Sequence, residues 1–194
     1  AGTAPARLLA GIDTVAARRL IPEPVDTKAT PLDAERLVAA LATLSDDMLV
    51  PDDGPEIIDW KFAHMAGTTA KGALRRFAVN DRAGRLLGCC IYHLQPDGVC
   101  RVVQIGCQPR SARPVLAHLL RDAYDGGGGV LYGRFEPHFR AVLRDQPIVV
   151  RPWSPLMVVQ SDQSDLCLAV HGGHALISRL EGENWTGIFH QPLP

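Results

Sequence analysis

The residues best suited to hold an anion lie together at Gln108-Pro109-Arg110-Ser111-Ala112-Arg113, just ahead of a segment with helical spacing. A helix start presents N–H groups with no intrahelical partner and the positive end of the helix dipole. Arginine adds a planar fork of donors that fits phosphate. One reading is therefore an anion site flanked by Arg110 and Arg113. The other makes both arginines solvated surface and Ser111 a helix cap. His138 has a side chain that titrates near neutrality and so could carry a proton, or it is an exposed histidine at a helix start. Glu136 lies across Pro137 from it, at a strand end of the kind where sites in open α/β sheets are found. His171-Gly172-Gly173-His174 offers two imidazoles with no third ligand nearby, so no metal is expected there. The chain has no G-x-S-x-G elbow, and its glycine run at 126–129 leads into a strand-like segment without the G-K-[ST] of a phosphate loop.

Periodicity indicates what positions these groups. Residues 6–21 suit an amphipathic lead-in helix that Pro22 and Pro24 break. Thr30 reads as an N-cap with Pro31 at the first helical position, followed by a stripe of Leu32, Leu37, Val38, Leu41 and Leu44. A further helix is predicted from Pro55 to about Met65, with Ile57, Ile58, Lys61 and Phe62 on one face. The pattern then changes to period two. Strands are predicted over Leu74–Val79, Leu86–Leu94 and Val99–Cys107, joined by the turns Asn80–Gly84 and Gln95–Gly98, as an antiparallel meander. A helix from Ser111 to Tyr124, a strand at Val130–Arg134, a short helix at Pro137–Leu143 and a strand at Pro147–Val150 follow. Leu156–Gln160, Leu166–Val170 and Ala175–Leu180 are read as closing strands or a helix. Leu166–Val170 in particular can begin a helix that stops at Gly172-Gly173. The Val99–Cys107 strand, the Ser111 helix and the Val130 strand form a right-handed crossover, so those two strands should run parallel.

Bulk properties narrow the function. At 194 residues the chain suffices for one sizeable domain with an appended piece. A formal net charge of −1 gives no surplus for a phosphate backbone, so nucleic acid is not an expected partner. No apolar run approaches the ~18 residues of a membrane span, and no signal peptide is visible. The five cysteines are odd in number and lie mostly in apolar stretches, which suggests buried free thiols in a reducing, cytoplasmic compartment.

The element order of helix, helix, three antiparallel strands, helix, strand, helix and strand resembles the GNAT (Gcn5-related N-acetyltransferase) superfamily over about residues 30–160. The resemblance implies an α+β fold, with a mixed, mostly antiparallel central sheet flanked by helices. It also implies acyl transfer from acyl-CoA, such as acetyl-CoA, to an amine. In that fold two parallel strands splay apart, the pantetheine arm pairs with strand backbone in the gap, and the pyrophosphate sits on the next helix start. The corresponding residues here are Gln104, Ile105, Gly106, Cys107, Gln108, Arg110, Ser111 and Arg113. The family motif Q/R-x-x-G-x-G/A keeps Gln108, with Ser111 at its first glycine and Arg113 at its last small position. The Tyr that often serves as general acid has no match on the helix at Pro137–Leu143. The strand at Val99–Cys107 carries Arg101 and Gln104 as its polar side chains and no carboxylate. No catalytic residue is assigned. The alternative is a catalytically silent GNAT-fold domain serving as a scaffold, a dimerisation partner or a small-ligand binder. Residues 1–29 are taken as a lead-in helix and linker, or the tail of a preceding domain, and 30–194 as the GNAT-like domain. A homodimer, or a preceding domain of a longer chain, would be its partner.

Overall fold

The computed structural model describes residues 22–45, 48–68, 71–134, 139–144 and 159–181. The expected lead-in helix, Glu136, Pro137, His138 and the strand at 147–150 lie outside these residues.

The five-stranded sheet has the order β1-β2-β3-β4-β5: β1 Lys28–Pro31, β2 Ala73–Asn80, β3 Leu86–Leu94, β4 Val99–Cys107 and β5 Val130–Tyr132. The first three pairings are antiparallel and β4–β5 is parallel, as the crossover requires. The structure is thus the α+β fold expected, with a mixed, mostly antiparallel sheet. The tight turns depend on glycine where the chain enters the left-handed region, at Gly84 (φ 84°) and Gly98 (φ 82°).

Two helices cover one face of the sheet, α1 Ala34–Leu44 and α2 Pro55–Gly67. Their core joins Leu32, Leu37, Leu44, Ile58, Phe62 and Met65 to Cys89, Ile91 and Val103 of the sheet, and Leu180 of the late segment is fully buried with them. On the opposite face α3, Ala112–Asp125, packs Val115, Leu116, Leu119 and Ala123 onto Phe77, Val79, Cys90, Tyr92, Cys100 and Val102. The alternation of β3 and β4 sends successive residues into these two cores. Shorter helices follow at α4 Arg140–Leu143 and α5 Ser164–His171.

The start of α1 differs from expectation. The N-cap is Asp33, whose side chain accepts from the Arg36 N–H at 2.8 Å, not Thr30. Thr30 and Pro31 belong instead to β1, where Thr30 pairs with Ala78 and its hydroxyl receives the Asn80 amide at 3.0 Å. This strand is hidden in the sequence because all four side chains of β1 are exposed and show no apolar alternation. Proline is tolerated there because an edge strand has ladder positions that need no N–H. Near the end, Leu166–Val170 is helical within α5. Ala175 makes only an isolated bridge to Leu49, so the described part of Ala175–Leu180 is a packed loop and not a strand. Ile57, expected on the buried face of α2, is 40% exposed, whereas Lys61 is buried against Asp53 at 2.5 Å.

Candidate functional site

The parallel pairing of β4 with β5 covers Val99↔Val130, Cys100↔Leu131 and Arg101↔Tyr132, and Gly133 still lies beside Val102, where a Cβ on it would come within 3.1 Å of Val102 Cβ. β4 itself runs on to Cys107, with no further pairing to β5 among the described residues. A β-bulge follows the paired stretch. Tyr92 pairs with Val102 and Ile91 with Gln104, leaving Val103 as the extra residue on β4. A bulge bends its strand and sharpens the local twist. Immediately after β4 the chain makes a 3-10 turn, Pro109–Ser111, and enters α3. A parallel strand pair followed by a helix start is therefore present, in the order the sequence implied.

The residues expected to line an acyl-CoA site lie along this path, but their side chains are largely committed to structure. Gly106 faces α1, where a Cβ would come within 2.9 Å of Cys89 Sγ and 3.3 Å of Leu41. Ile105 and Cys107 pack into the α3 core. Gln108 donates to the Thr43 carbonyl at 3.4 Å, which gives a partner to one of the carbonyls left over in the last turn of α1. Ser111 is buried and makes no capping hydrogen bond, whereas Arg110 and Arg113 are exposed. Backbone donors are few at this turn. Pro109 and Pro114 have no N–H, the Ser111 N–H is used by Gln108 O at 2.9 Å, and the Ala112 N–H goes to Pro109 O. A phosphate here would rely on arginine side chains more than on backbone.

The chain's own late segment bonds to β4 past its paired stretch. The Arg179 N–H donates to Val103 O at 3.0 Å, at the bulge. Gln104 Nε2 donates to Glu181 Oε1 at 2.8 Å, while Glu181 Oε2 accepts from the Ser178 N–H at 2.6 Å and its hydroxyl at 2.5 Å. Arg134, just past β5, donates to the Ile177 carbonyl. Burial pushes the Glu181 carboxyl above its ordinary range, against the pull of the Ser178 donors.

Sequence reasoning missed a second group on the same face. His93 and Arg101 are cross-strand partners, and Lys71 and Arg179 approach from the loops on either side. Arg101 and Arg179 both stand over the Tyr132 ring, at 6.0 and 4.8 Å from its centroid. Burial, then Arg179 and Arg101, lowers the Lys71 ammonium. Burial also lowers the His93 imidazole, against the pull of the Gly72 carbonyl, and Lys71 and Arg101 add to the lowering. His93 Nδ1 lies 3.5 Å from Gly72 O, a carbonyl that can only accept, so a bond there uses the Nδ1–H tautomer. The buried side-chain atoms without a hydrogen-bond partner among the described residues are His93 Nε2, Arg101 Nε and Gln104 Oε1. The sequence signal was a polar residue inside each of two apolar strands, His93 and Arg101, but their pairing depended on a register that the sequence does not print.

Among the described residues no group of three His, Cys, Asp or Glu is placed to hold a metal ion, and no helix is long and apolar enough to cross a membrane. His171 and His174 are both exposed at the end of α5.

No family model matches this chain, and no curated protein matches it either. Among solved structures it is similar to glucosamine-6-phosphate N-acetyltransferase from Arabidopsis thaliana, at 12% identity and a TM-score of 0.46, over 70% of this chain and 99% of that one. It is also similar to TTHA1254 from Thermus thermophilus, at 14% identity and a TM-score of 0.42, over 70% and 99%. A GCN5-related N-acetyltransferase from Kribbella flavida is similar at 21% identity and a TM-score of 0.32, over 57% of this chain and 42% of that one. At these identities and TM-scores no residue role passes from them to this chain. By its own strand order, its parallel β4–β5 pair and the helix that follows β4, the fold is GNAT-like.

Proposed function

We propose that this domain is a GNAT-like acyltransferase that moves an acyl group from acyl-CoA, such as acetyl-CoA, to an amine. The observation that supports this most is the end of β4–β5 pairing at Arg101/Tyr132, while β4 continues for the rest of its length toward the start of α3. In this reading the pantetheine arm lies along the unpaired part of β4, at Gln104, Ile105, Gly106 and Cys107. The pyrophosphate meets Gln108, Arg110, Ser111 and Arg113. The amine nitrogen attacks the thioester carbon, the C–S bond breaks, and the proton lost by the amine ends on the CoA sulfur. Catalysis is mainly positioning, with strand backbone holding the thioester against the amine. Buried free thiols at Cys89, Cys90, Cys100 and Cys107 are in keeping with a cytoplasmic location. Calorimetry with acetyl-CoA and with longer acyl-CoAs tests the reading. Saturable heat, weakened in Arg113→Ala, is expected, and silence at millimolar ligand removes it.

A second reading, a silent GNAT-fold scaffold, draws on the Arg179 N–H already bonded to Val103 O and on the two prolines at the start of α3. It predicts no binding of any acyl-CoA, and assembly defects only from substitutions on an apolar surface.

A further inference from the structure

We infer that Lys71, Arg101 and Arg179, around the buried His93, form a subsite for the anionic end of a small amine whose charged group is a carboxylate or a phosphate. The inference rests on the acyltransferase reading for the fate of the amine, but not for the existence of the anion site.

Arg101 and Arg179 meet over the Tyr132 ring with Lys71 nearby, and neither arginine makes an ion pair among the described residues. Glu181, the nearest carboxylate after Arg179 in the chain, has both oxygens engaged by Gln104 and Ser178. Bringing like charges together costs free energy unless something of opposite sign joins them. The rim of the group is partly open: Lys71, Arg101 and Arg179 are each half-buried, and Tyr132 is 47% exposed. Its floor is closed, with His93 only 2% exposed.

The atoms lacking partners specify what would fill the space. Arg101 Nε–H is a buried donor with nothing to receive it, and an oxyanion accepts from it and from the neighbouring cations. His93 Nε2, with the ring proton directed at Gly72, is a buried acceptor with nothing donating to it, and Gln104 Oε1 is another. Leaving such atoms unpaired is expensive, so the site suits a ligand that brings both an anionic group and N–H donors. His93 pairs directly with Arg101 across the strands, so this acceptor and this donor start from backbone positions about 5 Å apart. An amine and an anionic group separated by a few bonds fit that span.

Two-dimensional ¹H–¹⁵N NMR of the full chain, without acyl-CoA, tests this directly. The probes are inorganic phosphate, acetate, phosphoethanolamine and glycine. Saturable shifts at Lys71, His93, Arg101, Arg179 and Tyr132 are expected, with the amine-bearing member of the preferred pair binding more tightly than its plain anion. Preference for the phosphate pair or the carboxylate pair names the group. Arg101→Gln should weaken binding by about tenfold, as loss of one charge-assisted hydrogen bond implies. Lys71→Gln, between α2 and β2, should weaken it in the same direction. The inference is overturned if no probe gives a saturable shift, if both variants bind as the parent does, or if amines bind no better than plain anions. Acetyl-CoA calorimetry is read separately. Anion binding without acyl-CoA binding would keep this site and remove the acyltransferase reading, and the reverse result would do the opposite.

Discussion

Tyr92 and His93 are neighbours on β3, and the two faces they enter are built on opposite principles. Tyr92 points toward α3, where its hydroxyl donates to Asp122 Oδ2 at 2.6 Å and Arg75 grips the same carboxylate through two bonds of 2.9 and 2.6 Å. His118, in turn, shares a 2.6 Å bond with Thr27. Burial drives the Tyr92 phenol far above its usual range, helped by the Asp122 hydrogen bond. Burial alone would raise Asp122, but the bonds from Arg75 and Tyr92 win and hold it below the usual carboxylate range. His93 points to the other face, where polar atoms are buried without partners and positive charges gather. The first face is a finished structural joint; the second has the makings of a place where something else docks. A polar group inside a strand therefore indicates a site only when its partners are missing.

Substitutions can break this contrast, and the largest effect should come from the apolar anchor of the docking face. Leu180 is fully buried beneath α1 and α2 and holds the segment that bonds to Val103 and Gln104. Leu180→Ala should cost about 3 kcal/mol in denaturant unfolding, through lost burial and the cavity left behind. Next comes the finished joint. Asp122→Ala strands the Tyr92 hydroxyl and the Arg75 fork. With Arg75 itself 40% exposed to solvent, the loss should be about 2 kcal/mol, toward the low end for a broken pair.

The same carboxylate sets a pH signature. Its folded pKa is depressed, so its contribution is complete above the unfolded value of about 3.9 and is lost as pH falls through the lower folded value. Stability measured from pH 5 downward should therefore fall less steeply in Asp122→Ala than in the parent, to the extent that this group drives the acid limb.

The sign should reverse on the other face. His93→Leu removes a buried group with an unpaired atom, and stability should stay level or rise by about 1 kcal/mol, while anion binding weakens. A clear loss of stability would mean that the imidazole is already satisfied. The smallest effect is chemical. Burial raises the thiols of Cys89 and Cys107 to about 12, and that of Cys90 well above its ordinary value. Cys167 is half-buried, so it should react with a thiol reagent in the native state while the other four, all buried, wait for unfolding.

Much of the fold was legible because β2, β3 and β4 are strand-length, largely apolar runs separated by turn residues whose glycines adopt positive φ. β1 was not, since its four exposed residues lack any pattern and its Thr-Pro pair imitates a helix start. Near the candidate site, the sequence located the turn at Gln108–Arg113 and the parallel strand pair that precedes it. It did not show that Gln108 serves α1, or that residues 177–181 return to the bulge, because those contacts join positions 65 to 77 apart in the chain. The gathering of His93, Arg101, Lys71 and Arg179 was out of reach for the same reason.

Amide hydrogen exchange with and without acetyl-CoA tests the central claim most directly, because the unpaired stretch of β4 is where a pantetheine arm would have to bond. The account predicts slower exchange in Val102–Cys107 on adding ligand, together with faster exchange of the Arg179 amide as it gives up Val103 O. Unchanged exchange at both places under saturating acetyl-CoA, or protection confined to other strands, would contradict it.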